Sequence, residues 1–126
     1  MEKIEKLFLD DERPCPTGWK LARNYNEFKS IIEVFGVPET ISFDHDLGYE
    51  HYKDAATGVI DYTKYVEKTG YDCAKLLVER GQFPRLAIVH SFSPVGAQNI
   101  ANLLRPYSVV LVAPWNPRNY EGRDDV

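Results

Sequence analysis

Cysteine is scarce in this chain, which has only Cys15 and Cys73 among its 126 residues. The two lie far apart and lack the C-x-x-C spacing of zinc and redox motifs, so we expect reduced thiols in a cytoplasmic protein. No apolar run approaches the roughly 18 residues of a membrane span, and no signal-peptide core follows the N-terminus. These absences predict a protein without a membrane partner.

An excess of positive charge is also lacking, because 19 acidic residues outnumber 15 basic ones and the net charge is -4. A protein that holds an extended nucleic-acid backbone needs a basic surface, so we expect no such surface here. Recognition of one phosphate group is compatible with this charge. With 44% hydrophobic residues and no internal repeat, the chain is expected to form one domain over residues 1–126, with a polar tail at 116–126.

Short apolar runs alternate with amphipathic helical patterns along the chain. The five predicted strands are residues 6–9, 19–23, 40–43, 86–89 and 109–112. The three predicted helices begin after the capping residues Asn24 (or Asn26), Thr69 and Ser93. Apolar strands that alternate with such helices predict a parallel α/β sheet that is covered on both faces.

Two connections depart from this alternation. Pro14 and Pro16 prevent a regular helix after the first strand, which predicts a loop there. Residues 49–68 form a long polar stretch with four tyrosines and weak periodicity. A connection of this length is typical of a lid or binding loop, although an insertion without a role is the alternative.

Polar, reactive side chains follow three of the predicted strands. They are Asp10 and Asp11, then Asp44, His45 and Asp46, and finally His90 and Ser91. Because ligands of parallel sheets bind beyond the carboxyl ends of the strands, we expect these residues to converge on one site. A plain polar turn ending at Gly48 is the alternative for the central segment.

Clustered carboxylates repel one another, and a hard cation relieves the repulsion. Oxygen ligands from Asp10, Asp11 and Asp44 suit Mg²⁺ or Mn²⁺, and such an ion would polarise a phosphoryl oxygen. His90 is a candidate acid or base because imidazole titrates near neutral pH. A supporting role, in which it only holds neighbouring side chains, is the alternative for this histidine.

Several residues near these strand ends can bind an anion. Ser91 can donate to a phosphate oxygen or, as a further alternative, attack it. The helix N-terminus after Ser93, including the Gly96 amide, can receive a phosphate. Arg13 can hold a phosphate with two hydrogen bonds, or can pair with a neighbouring acid instead.

The Asp10-Asp11 pair and the Asp44-x-x-Leu-Gly motif resemble response-regulator receiver domains. The resemblance implies that Asp44 stands at the phosphoacceptor position and Ser91 at the small hydroxyl residue that ends the fourth strand. The receiver lysine before the last proline is replaced by Ala113. This departure argues against ordinary two-component phosphotransfer.

The motifs, taken in order, are more similar to the cyclic-phosphate processing receiver domains. They are Leu-Asp-Asp-x-Arg at 9–13, Gly-Trp at 18–19, Asp-His-Asp-Leu-Gly at 44–48, Thr-Gly-Tyr-Asp at 69–72 and His-Ser-x-Ser-Pro-x-Gly-x-x-Asn at 90–99. Ser93 departs from the family's asparagine, and the resemblance spans residues 7–112. It implies a receiver- or flavodoxin-like three-layer sandwich around a five-stranded parallel sheet, with a degenerate first helix, no last helix and an insertion after the third strand.

The resemblance also implies metal-assisted hydrolysis of a cyclic phosphate on a nucleotide or an RNA end, and a frequent occurrence in phages, which would place the protein in a host cytoplasm. The implied metal ligands are Asp10, Asp11, Asp44 and Asp46. The implied catalytic residues are Asp44, His45, His90 and Ser91. The implied substrate-binding residues are Arg13, Ser91, Ser93, Gly96 and Asn99.

Two alternative functions stay open at this point. One is a non-catalytic receiver-like module that binds a phosphorylated nucleotide or partner, which the missing lysine favours. The other is a haloacid-dehalogenase-like phosphatase, since Asp44-x-Asp46 resembles its nucleophile and acid. That family carries the motif on its first strand, followed by Gly-Thr or Gly-Val, whereas Leu47-Gly48 follows here.

Overall fold

A computed structural model describes residues 4–45, 47, 68–91 and 93–113 of the chain. The predicted insertion, apart from Lys68, lies outside the described residues, as do Asp46 and the predicted tail at 116–126. The described residues form five strands and three helices.

Five parallel strands form one sheet in the order β2-β1-β3-β4-β5. The strands are β1 (Lys6–Leu9), β2 (Lys20–Ala22), β3 (Thr40–Phe43), β4 (Leu86–Val89) and β5 (Val109–Val112). The helices are α1 (Tyr25–Phe35), α2 (Gly70–Arg80) and α3 (Pro94–Leu104). This arrangement confirms the predicted receiver-like α/β fold with a five-stranded parallel sheet.

Each helix begins at a cap that the sequence specifies locally. The side chain of Asn24 accepts a hydrogen bond from the Glu27 amide at 2.8 Å, so Asn24 caps α1. The Thr69 amide donates to Asp72 Oδ2 at 2.8 Å in the capping box of α2. Ser93 caps α3 directly before a proline in the first turn. These short-range bonds fix the helix starts independently of the rest of the fold.

All three helices bury side chains in a single core on one face of the sheet. The strands contribute alternate residues, which are Leu7, Leu9, Ile41, Phe43, Ala87 and Val89. The helices contribute, among others, Phe28, Ile32, Cys73, Leu77, Ile100 and Leu104. From β2 the chain crosses to β3, β4 and β5 in one direction, so right-handed crossovers place the three described helices on the same face.

The proline loop between β1 and β2 covers part of the opposite face. There Phe8 is fully buried, and Trp19 meets its ring edge-on with centroids 6.3 Å apart. The His90 imidazole stacks on the same ring at 4.8 Å, with the two planes 2° apart. The loop therefore takes the place of the first receiver helix, as the two prolines predicted.

No helix in the described part of the chain is long and apolar enough to cross a membrane. At the far edge of the sheet, Val109, Leu111 and Val112 of β5 are about half exposed. The site lies instead at the centre of the sheet, where β1, β3 and β4 are neighbours.

Candidate metal and phosphate site

Each of the three adjacent strands β1, β3 and β4 is followed by a polar residue at the same edge of the sheet. The register pairs Leu9 with Phe43 and Phe43 with Val89, so the residues that follow them stand side by side. The hydrogen-bond ladder between β1 and β3 continues as far as Asp44, whose amide donates to the Leu9 carbonyl at 3.0 Å. The predicted convergence of the strand ends is thus present in the fold.

Three carboxylates meet at this edge. One oxygen from each of Asp10, Asp11 and Asp44 lies within 4.8 Å of the other two. Asp10 is fully buried and Asp44 is 3% exposed, so water screens their repulsion poorly. An all-oxygen set of this size is the kind that Mg²⁺ or Mn²⁺ takes, and the residues present fit such an ion.

Asp10 is held by four hydrogen bonds. Its Oδ1 accepts from the backbone amides of Glu12 and Arg13, each at 2.9 Å. Its Oδ2 accepts from Arg13 Nη1 at 2.7 Å and faces His90 Nε2 at 2.9 Å. Burial alone would raise the pKa of Asp10, but these bonds outweigh burial and hold the pKa well below its ordinary value. Asp10 is therefore a carboxylate at neutral pH.

This lowered pKa makes stability depend on acid in a defined direction. With metal chelated, the contribution of Asp10 is complete above its unfolded pKa of about 3.9 and is lost as the pH falls toward the folded pKa. Between pH 7 and pH 3 we expect the free energy of unfolding to fall by about 1 kcal/mol more in the wild type than in Asp10→Asn. Urea unfolding at pH 7 and pH 3 measures it, with exposed Glu33→Gln as the control. An equal change in the free energy of unfolding between pH 7 and pH 3 in Asp10→Asn and in the wild type would contradict the prediction.

Arg13 lies between the two buried carboxylates. Its Nη1 is 2.7 Å from Asp10 Oδ2 and 3.6 Å from Asp44 Oδ2. Arg23 fixes the loop around it by donating to the Arg13 carbonyl at 2.8 Å and to the Asp10 carbonyl at 3.3 Å. The alternative in which Arg13 pairs with neighbouring acids is therefore the arrangement that the structure shows.

Both ring nitrogens of His90 are engaged, and the ring is 1% exposed. The ionised Asp10 can only accept, so Nε2 carries the proton and donates to it. Nδ1 then accepts from Ser42 Oγ at 2.7 Å. Burial lowers the pKa of His90, although the bond to Asp10 opposes this. Both nitrogens are thus bonded within the protein, to Asp10 and Ser42, and a role of His90 in proton transfer stays a prediction.

Ser42 contacts the site through His90, and no sequence motif predicted this contact. The residue is fully buried in β3, so its hydroxyl is enclosed by the protein. A Ser42–His90–Asp10 series has the composition of a catalytic triad, but its serine is enclosed and its aspartate faces the cluster. The sequence signal for Ser42 is its position between Ile41 and Phe43 in an apolar strand. Because side chains alternate between the two faces of a sheet, Ser42 points to the face opposite to theirs.

His45 packs against the first turn of α3. Its imidazole lies against the Cα of Gly96, where a Cβ atom would overlap the ring. The Gly96 amide donates to Ser93 Oγ at 3.0 Å, so both of these predicted phosphate ligands take part in the helix cap. A second close approach joins Gly70 to the Asp44 carbonyl, and the Gly70 amide donates to the His45 carbonyl at 2.7 Å.

Gly96→Ala is expected to destabilise the fold, although alanine normally favours a helix. The new methyl group overlaps His45, and overpacking of this kind costs about 1–3 kcal/mol. We expect this cost to exceed the stabilisation that alanine gives through its higher helix propensity. Urea denaturation measures the difference. Val95→Ala, at a 72% exposed position of the same turn, should change the free energy of unfolding by less than about 0.5 kcal/mol. A stabilised Gly96→Ala would contradict the contact.

The remaining predicted ligands differ in position. Ser91 follows His90 at the sheet edge, is partly buried and accepts from the Ser93 amide at 3.1 Å. Asn99 is exposed on α3, and none of the contacts described links it to the acidic cluster. At the end of β5 the Ala113 amide donates to the Val89 carbonyl at 3.0 Å, so an alanine stands where the sheet edge of a receiver carries lysine.

The strand order, the parallel sheet and the acids after β1 and β3 define a receiver-like domain. A scan against protein families matches residues 5–106 to the cyclic-phosphate processing receiver domain. The chain belongs to this family, as its motifs predicted. Comparisons with curated proteins and with solved structures gave no significant match.

Proposed function

We propose that this protein hydrolyses a cyclic phosphate on a nucleotide or an RNA end with the help of a divalent metal ion. The observation that carries the proposal is the meeting of Asp10, Asp11 and Asp44 within 4.8 Å in a member of the cyclic-phosphate processing family. The cluster supplies the ligands for a metal ion, and the family membership indicates the kind of phosphate on which that ion would act.

The chemistry of the reaction fits the charge of this site. Hydrolysis adds water across one ring P–O bond: a new P–O bond forms, the ring oxygen leaves and takes a proton as a hydroxyl group. The product monoester carries more negative charge than the cyclic diester, so charge develops during the reaction. A bound Mg²⁺ or Mn²⁺ would neutralise that charge. Asp10, Asp11 and Asp44 would hold the ion, and Asp46 remains a predicted further ligand.

Arg13 and Ser91 are the proposed phosphate ligands. The guanidinium lies between Asp10 and Asp44, and its planar fork matches two phosphate oxygens. Ser91 directly follows His90 in the chain and is partly buried, and its Oγ accepts from the Ser93 amide. Together they would hold the substrate's phosphate beside the carboxylates.

The proposed roles of the two histidines differ. His90 is assigned as a positioning residue, since its Nε2–H orients Asp10 and its other nitrogen is bonded to Ser42. His45, 5% exposed and packed on Gly96, remains the candidate for proton transfer. Ser93, Gly96 and Asn99 remain predicted ligands that none of these contacts supports directly.

Phosphorus NMR on 2',3'- and 3',5'-cyclic mononucleotides tests the reaction. In Mg²⁺ or Mn²⁺ we expect conversion of one cyclic diester to a monoester, and loss of conversion when EDTA removes the metal. Restoration by added metal is the control for damage by the chelator. No conversion of either ring with either metal would contradict the proposal.

A binding module without turnover is the second candidate. The observation that favours it is Ala113 at the end of β5, because a receiver that transfers phosphate carries lysine there. A rise in melting temperature with a cyclic nucleotide, without any conversion, would support this candidate. The family match leaves the dehalogenase-like phosphatase without a supporting observation.

A further inference from the structure

A single arginine nitrogen bridges the carboxylates that the proposed metal site uses. Arg13 Nη1 is 2.7 Å from Asp10 Oδ2 and 3.6 Å from Asp44 Oδ2. The Arg13 side chain is 11% exposed and both acids are buried, so charges here interact strongly. In this arrangement the guanidinium does what a metal ion would do, which is to offset the repulsion between the two acids.

A cation that binds the Asp10 carboxylate must compete with four hydrogen-bond donors that already contact it. Two of these donors are backbone amides of the loop, and a third is the buried His90, which is fixed by its stack on Phe8. Arg13 Nη1 is the fourth, at the end of a long side chain with several rotatable bonds. Of the four donors, Arg13 Nη1 is the one that a side-chain rotation can carry away from Asp10 without moving the backbone or the stacked His90 ring.

We infer that Arg13 is the counter-ion of the metal-free cluster and that it exchanges with the divalent cation, which releases its guanidinium to the substrate's phosphate. This inference rests on the proposed function. A released guanidinium near a bound cation needs an anion, and a phosphate supplies one. Metal binding and phosphate binding therefore favour each other, and the coupling is reciprocal.

The first test is Mn²⁺ affinity, measured by titration calorimetry without any substrate. We expect Arg13→Gln to bind Mn²⁺ about tenfold more tightly than the wild type, within the usual range of coupling between two ligands. Lys68→Gln is the control. It removes an exposed cation two residues before Gly70, whose amide donates to the His45 carbonyl, and the Lys68 ammonium lies over the Tyr25 ring. The Mn²⁺ affinity of this variant should change by less than about twofold, since long-range charge effects are screened by salt.

The second test is the coupling itself. Inorganic phosphate should bind the wild type about tenfold more tightly when Mg²⁺ is present, and Arg13→Gln should lose most of that gain. Arg13→Lys keeps the charge but not the planar fork, so its Mn²⁺ affinity should fall between those of the wild type and Arg13→Gln. Circular dichroism confirms that each variant is folded. The backbone bonds of residue 13 do not depend on its side chain.

The outcomes separate this inference from the proposed reaction. Equal tightening in Arg13→Gln and Lys68→Gln would overturn the exchange, because charge at a distance would explain both. Unchanged or weaker Mn²⁺ binding in Arg13→Gln would overturn it as well. Absence of Mn²⁺ binding in every variant would overturn the metal site and the exchange together. Tighter binding in Arg13→Gln alone, with no turnover in the wild type, would support the exchange and contradict the hydrolysis.

Discussion

Asp44→Asn is expected to lower turnover of the cyclic substrate by about a thousandfold, the size seen when one electrostatic group of an active site is removed. Asp44 supplies one of the three clustered oxygens, and an amide is a weaker ligand for a hard cation. The fold should survive, because the ladder bond of residue 44 to the Leu9 carbonyl uses the backbone. Phosphorus NMR gives the rate, and calorimetry should show weaker Mn²⁺ binding in the same variant.

The control for this prediction is Glu79→Gln, which removes an exposed carboxylate from α2 and should keep the wild-type rate within about twofold. A fully active Asp44→Asn would contradict the assignment of the site. An inactive variant that binds Mn²⁺ as tightly as the wild type would show that Asp44 acts on the substrate without holding the metal.

His90→Ala and His90→Gln are expected to differ, and the difference distinguishes positioning from proton transfer. Alanine leaves a cavity beside Phe8 and removes the donor to Asp10, which together should cost about 2–4 kcal/mol of stability. It should also lower turnover about 10- to 100-fold, the usual effect of losing a group that orients a metal ligand. The amide nitrogen of glutamine can stand near the position of Nε2 and restore the bond to Asp10.

We therefore expect His90→Gln to recover most of the turnover that His90→Ala loses, with an unchanged pH–rate profile. A residue that transfers protons itself would be as inactive with glutamine as with alanine, because an amide does not titrate. Initial rates across the pH range, measured at saturating metal, decide between these roles. Ser42→Ala should show part of the loss of turnover expected for His90→Ala, because it removes the hydroxyl group that donates to His90 Nδ1.

Local signals in the sequence predicted the helices and the meeting of the acids. Asn24, Thr69 and Ser93 cap their helices through bonds that span three residues, so a short window contains the whole interaction. Asp10 and Asp44 could be placed together because carboxyl ends of parallel strands share an edge. Neither inference needed the strand order.

The contacts that the sequence did not predict all depend on that order and on its register. Ser42 reaches His90 only because β3 and β4 are neighbours with Phe43 opposite Val89. His45 meets Gly96 because the end of β3 faces the start of α3. The placement of all three described helices on one face likewise follows from the strand sequence β2-β1-β3-β4-β5. Residues far apart in the chain carry these interactions, so no local pattern marks them.

The site contains backbone amides bonded in the sheet and backbone amides bonded to a carboxylate. Hydrogen exchange rates should distinguish these two groups. The amides of Asp44 and His90 donate to carbonyls of neighbouring central strands, so their protons should exchange only when the whole sheet opens. The amides of Glu12 and Arg13 donate instead to one carboxylate, that of Asp10, and opening of a single loop exposes them. We therefore expect the carboxylates that follow β1 and β3 to stand on slowly exchanging strands, and Arg13 to belong to a loop whose amides exchange faster.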